Sequence, residues 1–425
     1  MNIYLDSVGC RLNQAEIEAF ASQFRAAGHQ VVADASKADL VVVNTCAVTK
    51  EAASDSRQKV RQAARAGASQ VVVTGCWASL DPRGAAALPG VKRVVPNLEK
   101  DFLVPELLGR QGPLYEREPL AREPLPGAHR RTRAFIKVQD GCNNHCTFCV
   151  TTIARGPGRS RPAADVLADV RAALVGGAQE VVLTGVHLGS WGHDLTPRLR
   201  LEHLIRTLLA ETDIPRLRLS SLEPWDLDES FFSLWQDTRL CRHLHLPLQS
   251  GSGTILRRMA RKTTPESFAR LVEQVRAVIP DVAITTDVIV GFPGEGEAEF
   301  RESMEYVREL GFAGGHVFTY SERPGTAAAR FPNQVPPEER KERNARMRAV
   351  LAQAARSYQA RFLGAELEVL WEATDAYGPE GWRLRGLSDN YLRVSAYASQ
   401  PLWNQICRVR IERLAPDGLA GRLLP

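Results

Sequence analysis

Short runs of branched apolar residues alternate with amphipathic stretches through the first quarter of the chain. Ile3–Val8, Leu40–Val43 and Val71–Thr74 have the composition of buried strands. Asn13–Ala27 and Lys50–Ala66 between them repeat apolar positions at helical spacing. This rhythm predicts an open parallel α/β sheet over residues 1–110. The stretch 109–133 mixes Pro, Gly and charge without an apolar period, and a linker is expected at 111–131. A second series occupies 132–357, with strands expected at Ala134–Gln139, Glu180–Thr184, Arg216–Ser221, His243–Leu248, Ala283–Val290 and Gly314–Tyr320. Helices are expected at Ala163–Val175, Leu201–Glu211, Pro265–Val278 and Glu297–Leu310. Six strand–helix units are fewer than the eight of a closed TIM barrel, so a partial, open (β/α)6 barrel is predicted. A long basic helix follows Pro336-Pro337, running from Glu338 to about Phe362. Within 358–425 the pattern changes to short alternating strands (ELEVLWE, WRLRGL, YLRVSAY, CRVRIERL), the mark of a small antiparallel β-barrel. The fold class is therefore α/β with a small all-β domain at the C-terminal end.

Composition narrows the setting. The apolar and charged fractions, 44% and 24%, are those of an ordinary globular protein of several domains. A net charge of +5 is compatible with nucleic acid without demanding it. Basic residues concentrate between Arg330 and Arg361, where eight (Arg330, Arg340, Lys341, Arg343, Arg346, Arg348, Arg356, Arg361) face three acidic ones. That stretch reads equally as a solvated helix face or a phosphate-contacting one. No apolar run approaches the roughly 20 residues needed to span a bilayer, so no membrane association is expected. The opening MNIYLDSVGC lacks a basic and apolar leader, which predicts a cytoplasmic protein with reduced thiols. Its cysteines then serve as ligands or nucleophiles rather than disulfides.

Six of the eight cysteines form two triads. Cys142, Cys146 and Cys149 are packed into GCNNHCTFC, just after the first strand of the second series. Cys10, Cys46 and Cys76, in the contexts SVGC, NTC and TGC, each follow the C-terminal end of a strand in the first sheet. Ligands gather at that edge of parallel sheets, so the three side chains can converge. Three cysteines per site leave one coordination position open for chemistry. A zinc site completed by His145 is the alternative for the compact triad, and with it a zinc-stabilised RNA-binding protein without catalysis. No second cysteine pair follows, which favours a 4Fe–4S cube.

GCNNHCTFC resembles the signature of the radical S-adenosylmethionine enzymes. The resemblance implies that a 4Fe–4S cluster on Cys142, Cys146 and Cys149 binds S-adenosylmethionine and reductively cleaves it to a 5′-deoxyadenosyl radical. It places Phe148 against the adenine and makes the partial barrel a radical S-adenosylmethionine barrel. LTGVHLG offers Thr184 and Gly185 for the cofactor's amino group. LSSLEP offers Ser220 and Glu223, LPLQSGS offers Gln249 and Ser250, and DVIVGFPGE brings Val290 to the adenine site.

With the dispersed triad added, the whole chain is similar to the methylthiotransferases, which join such a barrel to an N-terminal domain and a C-terminal TRAM barrel that binds RNA. The resemblance implies a second, auxiliary 4Fe–4S cluster on Cys10, Cys46 and Cys76, which carries the sulfur to be inserted into a C–H bond. It also implies two S-adenosylmethionine molecules per turnover, a flavodoxin-like electron donor and a sulfur donor. Among the family's substrates, GCRLNQAEIEA and HVFTYSERPGTAAAR most resemble the enzymes acting on threonylcarbamoyladenosine at position 37 of tRNA. Isopentenyladenosine in tRNA and an aspartate on a ribosomal protein are the alternatives. After Cys149 the family commonly has a proline, where this chain has Thr151 and Thr152. Asn13, Arg155, Arg159 and Arg161 are expected to meet the anticodon loop. Arg383, Arg385, Tyr391 and Arg393 are expected to form a stacking and phosphate surface on the terminal barrel.

Overall fold

The computed structural model describes residues 1–109 and 132–425, so the expected linker lies outside the described residues. The chain divides into two compact units. One comprises Met1–Gly177, Leu183–Leu201 and Ser321–Ala329, and the other Ala178–Val182, Glu202–Tyr320 and Arg330–Pro425.

The first unit is built on β1 (Asn2–Ser7), β2 (Gln30–Val31), β3 (Leu40–Thr45), β4 (Gln70–Gly75) and β5 (Val91–Val95). They pair in parallel in the order β2-β1-β3-β4-β5. Its helices are α1 (Arg11–Ala26), α2 (Lys50–Arg65), α3 (Cys76–Leu80), α4 (Pro82–Ala86) and α5 (Leu103–Leu107). Successive valines of β3 and β4 face opposite sides. Val41, Val43, Val71 and Val73 pack with Val60 and Trp77, while Val42 and Val72 pack with Ile3, Phe20, Phe24 and Leu103. Both faces are thus covered, which is why these strands read as unbroken apolar runs. β2 and β5, two edge strands, were not among the expected elements, being short or interrupted by charge (VKRVV).

The same unit continues with β6 (Arg133–Lys137) and the antiparallel pair β7 (Gln139–Asp140) and β8 (Arg159–Ser160). Between β7 and β8 lies the compact cysteine run, closed by the short helix α6 (Thr151–Arg155). Helix α7 (Ala163–Val175) follows, and the unit resumes at Leu183, near the end of strand β9 (Glu180–Thr184).

The second unit alternates α8 (Leu201–Glu211), β10 (Leu217–Leu219), α9 (Glu229–Phe232), β11 (His243–His245), α10 (Gly253–Arg258), α11 (Pro265–Val278), β12 (Ala283–Val290), α12 (Glu297–Leu310) and β13 (Gly314–Thr319). Strands β11, β12 and β13 pair in parallel, and parallel bridges Leu217↔Leu240 and Ser221↔His245 continue the succession to β10. With β9 and β6 next in order, the six strands follow the partial (β/α)6 succession expected.

Helix α13 (Pro337–Ala360) leads to β14 (Glu366–Gly378), β15 (Gly381–Ser388), β16 (Arg393–Ala398), β17 (Ile406–Ala415) and β18 (Gly418–Leu423). These close a barrel in the order β14-β15-β16-β18-β17. Four of its strands are those expected; the fifth, GLAGRL, is too poor in β-branched residues to announce itself. Val369, Trp371, Leu384, Val394, Val409, Ile411 and Leu419 fill the interior, joined by Tyr358 and Phe362 from the end of α13. Three arginines seat the barrel within the unit. Arg216 donates to the carbonyls of Leu387 and Glu368, Arg218 to those of Ser388 and Asp389, and Arg242 to the Asp389 carboxylate.

Candidate functional site

Strands β1, β3 and β4 are neighbours, with Ser7 opposite Asn44, Asn44 opposite Thr74 and Thr45 opposite Gly75. Their C-terminal ends are therefore level. Cys10 caps the start of α1, Cys46 follows Thr45, and Cys76 opens α3. All three lie at the same edge, beside the point where strand order reverses between β1 and β3. Cys10 is exposed, while Cys46 and Cys76 are buried. Burial, with the neighbouring Cys10 and Cys76, pushes the Cys46 thiol up to about 11.

The glycines in SVGC and TGC explain themselves here. Gly9 has φ +110°, and an added Cβ would lie 2.7 Å from both Cβ and Sγ of Cys46. Gly75 has φ +99°, and a Cβ there would run into the Thr45 backbone. Each glycine brings its cysteine closer to a neighbouring strand end than a side chain would permit.

Beneath these thiols lies a buried ion cluster that the sequence reading missed. Glu16 accepts from Lys100 Nζ at 2.7 Å and from Arg155 Nη1 at 2.8 Å, and Arg155 also reaches Asp140 at 2.9 Å. Burial by itself would raise the Glu16 carboxyl, yet Arg155, Lys100 and Lys137 hold it well below the usual carboxylate range. Two asparagines link this cluster to the cysteines. Asn13 donates to the Val8 and Thr45 carbonyls and accepts from Arg155 at 2.7 Å, with the Cys10 thiol 3.9 Å from its Oδ1. Asn97 donates to the Ala154 carbonyl at 2.8 Å and lies 3.7 Å from Cys76 Sγ. The helix leaving the compact triad and the strand ends carrying the dispersed triad are thereby tied into one body.

Two expected tRNA contacts are corrected by this arrangement. Arg155 is 1% exposed and Asn13 likewise, both spent on internal hydrogen bonds. Neither can meet a phosphate. Arg161 is bonded to Asp169 and the Lys137 carbonyl, and Arg159 is half-exposed with its guanidinium on the Arg155 and Pro157 carbonyls.

The compact triad lies in a loop whose backbone already addresses sulfur. The Asn144 amide points at Cys142 Sγ and the Thr151 amide at Cys149 Sγ, each at 3.4 Å. Such N–H···S contacts are what thiolates on an iron cluster use. Thr151 and Thr152 open α6, and a proline at 151 would remove the N–H that Thr151 points at Cys149. His145 is exposed, and Phe148 is half-buried. Gln139 ties the loop to the end of β9. Its Nε2 donates to the carbonyls of Asp140 and Gly141 while its Oε1 accepts from the His187 amide at 2.9 Å. Asn144 in turn meets His187 Nδ1 at 3.3 Å. Thr184 is buried beside Gly185 in that segment. Among the described residues no three His, Cys, Asp or Glu side chains focus on a point so as to hold one metal ion.

The remaining expected cofactor contacts belong to the second unit. Ser220 is 5% exposed and its Oγ has no hydrogen-bond partner, a buried hydroxyl available to a ligand. Gln249 has φ +73°, and Ser250 and Val290 are buried. Glu223 forms a bidentate pair with Arg261, whose guanidinium also lies over Trp225 at 4.5 Å. On the barrel, Arg383, Arg385 and Arg393 are exposed, with Arg383 opposite Tyr397 and Arg385 opposite Ser395. Tyr391 is half-buried, its ring stacked on His243 at 4.1 Å with Arg218 at 5.1 Å. Tyr397, 46% exposed, is the aromatic residue that stands on that outer face. The basic helix is also largely committed. Arg340, Arg343, Arg346, Arg356 and Arg361 all bond within the unit, leaving Lys341 and Arg348 exposed.

Comparison with known proteins adds to these observations. Residues 2–95 match an uncharacterized protein family, UPF0004, and residues 136–307 match the radical SAM superfamily. A threonylcarbamoyladenosine tRNA methylthiotransferase MtaB from Bacillus subtilis (strain 168) is 36% identical over 425 residues, covering 95% of this chain and 92% of its own. A tRNA-2-methylthio-N(6)-dimethylallyladenosine synthase from Caldicellulosiruptor saccharolyticus is 32% identical, covering 99% and 92%. Among solved structures, the radical S-adenosylmethionine methyltransferase TsrM from Kitasatospora setae shares the fold at a TM-score of 0.58 and 18% identity, over 77% of this chain and 76% of that one. Two cysteine triads, a partial parallel barrel, a closed terminal barrel and full-length likeness to named enzymes agree, and the chain belongs to the tRNA methylthiotransferase family of radical S-adenosylmethionine enzymes.

Proposed function

We propose that this protein attaches a methylthio group to threonylcarbamoyladenosine at position 37 of tRNA, in the anticodon loop, and that it works in the cytoplasm. The observation that carries the reading is the level alignment of Cys10, Cys46 and Cys76 on three adjacent strand ends, in a body shared with Cys142, Cys146 and Cys149. The first threonylcarbamoyl-specific relative, at 36% identity, supports the substrate choice. When bound, a 4Fe–4S cluster on each triad, with two S-adenosylmethionine molecules per turnover, an electron donor and a sulfur donor, would supply the radical that removes an aromatic C–H hydrogen and the sulfur that takes its place.

The chain's own residues prepare this chemistry by placement. Gly9 and Gly75 let two ligand loops approach closely, and Ser56 clamps Cys46 by accepting from its amide at 2.9 Å. The amides of Asn144 and Thr151 point at the sulfurs of Cys142 and Cys149 and orient the compact triad. Gln139 fixes that loop against β9, where Thr184 and Gly185 would meet the methionine amino group. Phe148, Ser220, Gln249, Ser250 and Val290 would hold the rest of the cofactor, Ser220 through its unpartnered hydroxyl. Holding both clusters on one body keeps radical and sulfur within reach of one substrate carbon.

Nucleoside analysis of tRNA from a strain lacking the protein tests the substrate. Methylthiolated threonylcarbamoyladenosine should disappear while its unthiolated precursor accumulates. Its persistence, or selective loss of methylthiolated isopentenyladenosine, would assign the protein to the other tRNA substrate that a relative's name records.

A further inference from the structure

Arg323 stands in SERPGTAAAR, a segment (Ser321–Ala329) that leaves the second unit and packs in the first. Both cysteine loops hold it there. The Lys50 amide, at the start of the helix after Cys46, donates to Ser321 Oγ at 3.4 Å. The Ala328 amide donates to the carbonyl of Thr147, between Cys146 and Cys149, at 2.9 Å. Thr326 closes a turn by donating both its amide and its hydroxyl to the Arg323 carbonyl. The segment that carries Arg323 is thus bonded to both cysteine loops.

The guanidinium is what makes the position unusual. Arg323 is 9% exposed, and its Nε is buried with no hydrogen-bond partner. Among the described residues every other arginine at that burial or deeper is paired: Arg155 with Glu16 and Asp140, Arg218 with Glu180, Arg261 with Glu223, Arg343 with Glu295, and Arg216 with barrel carbonyls. Burial lowers the Arg323 pKa, whereas at Arg155 acidic partners overcome burial and raise it. Glu51, the acidic group near enough to be felt, does not bond to it. A guanidinium so buried, with no hydrogen-bonded acid beside it, is costly until a ligand meets it.

We propose that Arg323 is the receptor for an oxyanion of the tRNA substrate, on the segment that both cysteine loops hold. The inference rests on the substrate reading above. Two groups on such a tRNA have the required chemistry: the carboxylate of the threonylcarbamoyl side chain and a phosphate flanking the modified adenosine. Either can be met by the bidentate fork of a guanidinium.

The test compares Arg323→Gln with the unaltered protein, both reconstituted anaerobically, in binding three ligands: an anticodon stem-loop with threonylcarbamoyladenosine, the same stem-loop with plain adenosine, and S-adenosylmethionine. The variant should melt at or above the temperature of the parent, because an unpaired buried charge is gone. Its affinity for the modified stem-loop should fall by roughly ten-fold or more, the worth of a charge-assisted hydrogen bond. If the carboxylate is the ligand, the parent's preference for the modified loop vanishes in the variant. If a phosphate is the ligand, both loops weaken equally and the salt dependence drops by about one phosphate contact. Parental affinity for both loops, or a loss confined to S-adenosylmethionine, overturns the assignment. Failure of the parent itself to bind either loop would instead overturn the substrate reading.

Discussion

Polar residues buried under the dispersed triad decide whether that edge of the sheet is a site or merely a core. Glu16 is the pivot, a single carboxylate serving Lys100, Arg155 and Asn44. Glu16→Gln leaves both cations short of a partner and should cost about 3–5 kcal/mol of stability, read from urea unfolding. The sign with pH follows from the depressed carboxyl. Its stabilisation is complete above the ordinary carboxylate pKa of 4.5 and is lost only as pH falls through the lower folded value. The gap between parent and variant should therefore be flat from about pH 5 to 8 and close only in strong acid. Part of this was legible in the sequence. Asn13 and Glu16 interrupt the buried stripe Leu12, Ala15, Ile17, Phe20, Phe24 of α1, and a polar residue on an apolar stripe is a standing question. Asn97 and Lys100 had no such signal, since they lie in an irregular segment with no period to break. Arg155 and Asn13 were misjudged because charge and amide alone do not reveal burial.

Strands and helices carried most of their identity in the pattern itself. The bounds of β9, β12, α7, α8, α11 and α12 coincide with those expected, because the helices bury one apolar face and the two strands are buried over most of their length. What escaped were elements whose stability is borrowed from neighbours: the edge strands β2 and β5, the short α3 and α4, and the closing strand β18. The two cysteine loops are separable as elements, and this can be measured. Cys142→Ala should lose about half the iron and all reductive cleavage of S-adenosylmethionine. Cys46→Ala should lose the other half, keep 5′-deoxyadenosine formation and stop sulfur insertion. Iron content that is unchanged in the Cys46 variant would remove that residue from the ligand set.

For the molecule as a whole, charge is distributed differently from what the sequence suggested. The basic helix spends most of its arginines on internal bonds, whereas the outer face of β15 and β16 keeps Arg383, Arg385 and Arg393 exposed. Arg383 and Tyr397 lie opposite each other there, an arrangement suited to one phosphate and one base. Arg383→Ala combined with Tyr397→Ala should weaken tRNA binding by about ten-fold or more and lower the salt slope by about one, without changing iron content. Lys341→Ala should do less. Unaltered affinity in the double variant would move the RNA surface elsewhere. No helix among the described residues is long and apolar enough to cross a membrane.

The level strand ends also impose an order on how such a protein matures. Cys142, Cys146 and Cys149 fall within eight consecutive positions and can gather around iron in a flexible loop. Cys10, Cys46 and Cys76 are separated by 36 and 30 residues and become neighbours only once β1, β3 and β4 have paired. One site travels with the newborn chain, while the other comes into existence with the tertiary fold. The fold itself is the gatekeeper of the dispersed triad: a misfolded copy would keep the compact cysteine run yet never bring Cys10, Cys46 and Cys76 together.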